Sequence, residues 1–165
     1  MRVLSILIVV GSLALSTSPS ASAVRQCPLE KINGARELHE TLSLRAVEVV
    51  KRAANATDRQ AALIAPNAIF SLGAGDVGRP LGLGVLGVRQ LAKTMNADTY
   101  RFLGWDYMDG PVNSCTEHKV EVEFTDSAAK LLSRVEFTFD MGRVVKAEGW
   151  QRSFETGRLK DRTTR

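Results

Sequence analysis

His118–Phe124, HKVEVEF, and Leu132–Asp140, LSRVEFTFD, are the stretches on which the fold turns. In the first, Val120, Val122 and Phe124 alternate with Lys119, Glu121 and Glu123. In the second, Val135, Phe137 and Phe139 alternate with Arg134, Glu136 and Thr138. A period of two sends successive side chains to opposite faces, so each stretch reads as a strand with one apolar and one solvated side. Met141-Gly142 turns the chain, and Arg143–Phe154 returns as a long last strand. An antiparallel sheet with one wet face accommodates all three. Just upstream, Thr99–Met108 (TYRFLGWDYM) is the most aromatic stretch of the chain and reads as another strand, closed by the turn Asp109-Gly110-Pro111.

Working back towards the N-terminus, the period changes to that of a helix. Leu38, Leu42, Leu44, Ala46, Val49, Val50 and Ala53 keep helical spacing through Ala35–Ala54. After the break at Asn55-Ala56-Thr57-Asp58, either Thr57 or Asp58 can cap a short second helix over Arg59–Ile64, which Pro66-Asn67 stops. Ala68–Leu72 reads as a strand and GAGDVGRPLGLG as a glycine-rich loop. Val85–Met95 is a third helix, with Val85, Val88, Leu91, Ala92 and Met95 on one face. Three early helices followed by antiparallel strands make an α+β domain.

Gly82-Leu83-Gly84-Val85-Leu86-Gly87 matches the G-x-G-x-x-G pattern. A dinucleotide site needs that turn directly after a strand of a parallel βαβ unit. Here the loop intervenes and the later strands read as antiparallel, so the glycines mark a flexible loop and a helix start.

The compartment is read from the other end of the chain. Arg2 precedes the apolar run Val3–Leu15, and a small, polar stretch ends in Ala21-Ser22-Ala23. These are the three parts of a cleavable signal peptide, and the run is too short to cross a bilayer. Residues 1–23 are therefore expected to be removed, leaving a mature protein that is periplasmic or secreted and has no membrane anchor. Removing 23 of the 165 residues leaves 142, and the net charge falls only from +4 to +3, because Arg2 is the one charge lost. Residues 24–157 fit a single domain with a sizeable core. Residues 158–165, with Arg158, Lys160, Arg162 and Arg165, read as a flexible basic tail. A nucleic-acid surface would interleave aromatics with its charges, and no such patch exists. In an oxidising compartment the two cysteines, Cys27 and Cys115, read as one disulfide. There is no CxxC or Cys/His cluster to hold a metal.

Three segments resemble the nuclear transport factor 2-like group, which includes SnoaL-like polyketide cyclases and ketosteroid isomerase. ANATDRQAALIAPNAIF resembles the family's polar turn, short helix and entry to the first strand. PLGLGVLGVRQLAKTM resembles the segment opening its third helix, and VEFTFDMGRVVKAEGW its closing hairpin. The likeness spans about residues 35–155. It implies a cystatin-like cone: three N-terminal helices packed in a strongly curved antiparallel sheet, with a mostly apolar pocket at one end. It also implies chemistry without a cofactor, or binding alone, on a small hydrophobic or aromatic molecule; the fold does not choose between them. The isomerase's general base falls at Leu72, its oxyanion tyrosine near Val50 and its protonated aspartate at about Val135. All three are apolar, so ketosteroid isomerase chemistry is not expected.

Other polar groups on aromatic strands remain as candidates. Alternation puts Tyr100, Phe102, Asp106 and Met108 on one face, and Trp105 and Tyr107 on the other. A buried Asp106 would hold its proton more tightly and could shuttle it; an exposed or arginine-paired Asp106 would be inert. His118, opening a strand beside outward-facing Lys119, is the second acid/base candidate, with a structural or surface histidine as the alternative. His39 reads as a solvated helix residue. Tyr100, Phe102, Trp105, Tyr107, Phe137, Trp150 and Arg152 are candidate pocket residues, and Asp76 and Arg79 sit in the loop expected to form a lid. Two functions stay open: a cofactor-free lyase, isomerase, dehydratase or cyclase, and a non-catalytic module binding a ligand or a protein partner, as a homodimer through the open sheet face.

Overall fold

The computed structural model describes residues 27–55, 61–74, 78–104 and 110–154. Its elements are α1 (Ala35–Lys51), β1 (Ile64–Ala74), β2 (Pro80–Leu83), α2 (Gly84–Met95), β3 (Thr99–Leu103), β4 (His118–Asp126), β5 (Leu131–Asp140) and β6 (Arg143–Ser153). A single 3-10 turn, Ala53–Asn55, follows α1. The domain is α+β, as the change of period implies, with three corrections. Two of the three expected helices are described in full; the short one expected over Arg59–Ile64 falls partly outside the described residues, Ala61 is helical, and it ends earlier than expected because Ile64 already begins β1. The glycine-rich loop contains β2, which forms a hairpin with β1. The sheet is mixed: it runs β2-β1-β6-β5-β4-β3, and β1 lies parallel to β6 while every other pair is antiparallel. Alternation within single strands carries no information about that one parallel neighbour.

Local chemistry sets the element ends. Glu37 lies in the first turn of α1 and Lys51 in its last, each matched to the helix dipole. α2 ends on Asn96, whose left-handed conformation (φ 46°) is one that asparagine tolerates. Its side chain donates to Asp126 Oδ2 at 2.9 Å, tying the helix to the end of β4. β5 and β6 are joined through Met141 and Gly142, both at positive φ, as a two-residue hairpin requires. Arg45 of α1 donates to the Gly142 carbonyl, so the long helix grips that turn.

The G-x-G-x-x-G glycines are explained by packing. Gly84 (φ +53°) lies so close to β1 that an added Cβ would come 2.6 Å from the Pro66 carbonyl oxygen. At Gly87 a Cβ would come 2.6 Å from Gly82 O and from a Phe70 ring carbon. The motif lets α2 start directly against the β1–β2 hairpin.

The inward residues of the strands form the core with one side of each helix. Phe70, Phe137, Phe139, Leu42, Leu91 and Met95 are fully buried, and Phe124 meets Phe137 edge-on with ring centroids 6.3 Å apart. Val120, Val122, Val135, Val144 and Ala147 complete the apolar floor. Register shifts within β1–β2, β1–β6 and β5–β6 mark bulges, which bend a sheet. Outside the sheet, Cys27 and Cys115 form the disulfide, with Cα atoms 5.7 Å apart. Ser114 Oγ donates to Leu29 O beside it, and Gly34 bridges Pro111, so the N-terminal arm is strapped to the segment that leads into β4.

Candidate functional site

Strand register aligns one row of residues across five strands: Tyr100, Phe124, Ser133, Gln151 and Ala74. Phe124 and Ser133 are buried, which puts the row on the core-facing side of the sheet. Gln151 donates from its amide nitrogen to Ser133 Oγ at 3.2 Å, a polar pair set into an otherwise apolar floor. Clefts open at both ends of this row, with α2 contributing to each.

The larger cleft, about 480 Å³, lies between β1, β2 and α2. Leu72, Gly73 and Ala74 of β1 and Leu81 of β2 supply its apolar wall; Arg79, Gln90, Thr94 and Gln151 supply its polar groups. Arg79 is pinned at the neck of the β1–β2 hairpin, since Leu72 N donates to Arg79 O at 3.0 Å and Arg79 N to Leu72 O at 3.4 Å. The smaller cleft, about 220 Å³, lies between the C-terminal ends of α1 and α2 and the start of β3, with Val50, Lys51, Tyr100 and Phe124 among its walls. There the Lys51 ammonium sits 4.3 Å from the centre of the Tyr100 ring, a cation–π contact. Leu72 and Val50, onto which isomerase residues would map, thus line the two clefts as aliphatic groups, and Val135 is fully buried.

The remaining candidates are dispersed. Tyr100 is 39% exposed and tilts against half-buried Phe102 at 5.6 Å. Phe137, expected in the pocket, is instead a filled part of the core. Trp150, also expected there, is 49% exposed on the opposite face of the sheet, because inward Gly149 and Gln151 flank it. It lies in a groove with Glu121, Arg134, Glu136 and Glu148. Arg152 is exposed one alternation further along β6. His118 Nε2 lies 2.7 Å from Asn113 O and 3.2 Å from Thr116 Oγ1, so the ring braces the loop before β4. Asp76, Trp105, Asp106 and Tyr107 lie outside the described residues, as do residues 1–26 and 155–165.

The outward face of β3–β5 is a lattice of ion pairs. Arg134 binds Glu121 through both carboxylate oxygens, Lys119 pairs with Glu136 at 2.7 Å, and Arg101 pairs with Glu123 at 2.7 Å. Glu123 is nearly buried beneath its partner, a departure from the fully solvated face expected of it.

His39 needs the largest correction. Far from being solvated, it is 5% exposed, and its Nδ1 has no hydrogen-bond partner among the described residues. Ser43 Oγ, one turn on, is likewise buried and unpartnered. Burial holds the His39 ring below its ordinary pKa of 6.5, disfavouring the charged form. α1 is buried on two stripes, Leu38-Leu42-Val49 and His39-Ser43-Val47, whereas the sequence shows only the first. Gln90, Thr94 and Gln151 were also absent from the expected site. The signal for Gln151 was present, since it shares the alternation of inward Ala147 and Gly149.

Among the described residues no group of three or more His, Cys, Asp or Glu side chains could hold a metal ion, and no helix is long and apolar enough to cross a membrane. No protein-family model matches the chain, and no curated protein matches it. Similar solved structures include a cystatin-like fold protein from Burkholderia xenovorans LB400, with 15% identity and a TM-score of 0.45 over 72% of this chain and 95% of that one. An NTF-2 like protein of unknown function from the same organism has 15% identity and a TM-score of 0.43 over 78% and 97%. The de novo designed NTF2 fold protein NT-9 has 15% identity and a TM-score of 0.39 over 68% and 85%. These names belong to the fold group that the sequence resembles. No residue's role is carried over from them.

Proposed function

We propose that this chain is an exported small-molecule-binding protein whose ligand seats in the cleft between β1, β2 and α2. The observation that carries the reading is the composition of that cleft. About 480 Å³ is bounded by an aliphatic wall and four polar side chains, the mixture typical of ligand sites of this size. Export is read from the three-part leader and agrees with the Cys27–Cys115 bridge, since disulfides persist outside the cytoplasm.

Binding is favoured over catalysis. General acid–base work needs a titratable group near neutral pH within reach of the substrate. The described lining of the larger cleft includes no Asp, Glu, His or Lys, and His118 is engaged with its own loop. A lyase, isomerase, dehydratase or cyclase would depend on Asp106, and Asp106→Asn tests that route: lost turnover with retained binding would restore the enzyme reading. A homodimer through the outer sheet face, with Trp150 near its centre, is the assembly this reading takes, and sedimentation equilibrium checks it.

The deciding experiment is ligand capture. The mature chain from Val24, purified in native form, is expected to release a small molecule detectable by mass spectrometry. Leu81→Trp, which fills the cleft from β2, is expected to release none while keeping the same circular dichroism. Equal retention by both proteins, or no ligand from either together with no hit in a thermal-shift screen, would overturn the reading.

A further inference from the structure

We infer that this cleft selects its ligand by a carboxylate group, gripped by Arg79 and seated against the side-chain amides of Gln90 and Gln151. The inference rests on the ligand-binding reading and adds to it the chemical class of the ligand.

Arg79 is the one described arginine that lines the cleft, and most of the others are engaged elsewhere. Arg52, Arg101 and Arg134 pair with carboxylates. Arg45, Arg89 and Arg143 donate to backbone carbonyls of Gly142, Ala53 and Ile64. Among the described residues, no carboxylate and no carbonyl engages the Arg79 guanidinium. Its backbone is nevertheless fixed by two hydrogen bonds to Leu72, so the side chain extends from a rigid hairpin neck. A guanidinium offers paired N–H donors in a plane, the geometry that matches a carboxylate.

The groups opposite are also donors. A primary amide has two N–H bonds; Gln151 uses one on Ser133 Oγ, leaving one N–H to give. Gln90 reaches Thr94 Oγ1 only at 3.5 Å, and the Thr94 hydroxyl is turned back to Gln90 O at 2.8 Å. No described lining residue carries negative charge. Among the described residues, an anion entering here meets one cation and two amides and displaces no bound carboxylate, while Leu72, Leu81 and Ala74 accept its hydrocarbon part. The ligand class is therefore a small aromatic or aliphatic monocarboxylic acid.

Calorimetric titration of the mature protein with phenylacetate and octanoate, each beside its neutral amide, tests this. At least one acid should bind about 10- to 100-fold more tightly than its amide, the range expected of a charge-assisted pair, and should weaken as salt is added. Arg79→Gln should abolish the preference without moving the melting temperature, and Arg79→Lys, which keeps charge but not the fork, should restore part of it. Acid and amide binding equally, or a preference that survives Arg79→Gln, would overturn the carboxylate inference and leave the ligand reading standing. If neither acid nor amide binds although ligand capture succeeds, the carboxylate inference alone falls; if capture fails too, both fall.

Discussion

Replacing His39 with leucine should stabilise this protein, and by an amount that grows as the solution is made more acidic. The wild-type ring is buried, and its Nδ1 has no partner among the described residues. A buried polar atom without a hydrogen bond costs about 1–3 kcal/mol, and leucine has a similar shape without that atom. At pH 8 the variant should therefore be more stable by about 1 kcal/mol or somewhat more. The pH dependence has a definite sign. Burial lowers the folded-state pKa beneath the ordinary 6.5, so below pH 6.5 the unfolded chain binds a proton that the folded chain refuses. His39 thus contributes stability in full above the unfolded pKa, and that contribution is lost as pH falls towards the folded pKa. The loss has a slope of at most about 1.4 kcal/mol per pH unit. Urea unfolding of both proteins at pH 8, 7, 6 and 5 measures the difference directly, and His118, common to both, cancels. Parallel stability curves, or a variant less stable than wild type at every pH, would refute a buried, neutral His39.

Reducing the disulfide, or replacing both cysteines with serine, should cost about 4–5 kcal/mol by the loop-entropy model for a separation of 88 residues, with the measured loss at or below that range; chemical denaturation with and without reductant reads it. Gly84→Ala should cost about 1–3 kcal/mol, because a Cβ there lies 2.6 Å from Pro66 O at a φ of +53°; an unchanged denaturation midpoint would rule out the close approach of α2 to β1. Asp126→Asn should flatten the acid limb of the stability profile. The Ala129 N–H and then the Asn96 amide hold the Asp126 carboxyl below its ordinary 3.8. Its contribution is present above that value and fades as pH falls through the lower folded pKa; thermal melts from pH 5 to pH 2 follow it.

Much of this architecture was legible in the sequence because one-sided burial leaves a period. Val120-Val122-Phe124 and Val135-Phe137-Phe139 face inward as their alternation requires, and Met141-Gly142 makes the expected turn. Features that depend on a distant partner were less visible. Pairing of β1 with β6 joins residues about 80 positions apart and leaves no local mark. His39 and Ser43 were misjudged because a polar residue on a helix is ordinarily solvated, and only a second packing surface buries it. The candidate site was read from aromatic content, which favoured Phe137 and Trp150. One of these fills the core and the other faces outward, whereas the cleft is walled by short aliphatic groups and amides of little sequence contrast.

The central position of β6 bears on how the chain folds. β6 is the last of the described strands in the chain, yet it holds the sheet together, with β1 on one side and β5 on the other. Until Arg143–Ser153 is available, the β1–β2 hairpin and the β3–β4–β5 meander have no strand between them. Closing such non-local pairings slows folding, since loop entropy must be met before contacts reward it. A chain cut before Arg143 would therefore present two further open sheet edges, at β1 and β5, rather than a smaller version of the domain.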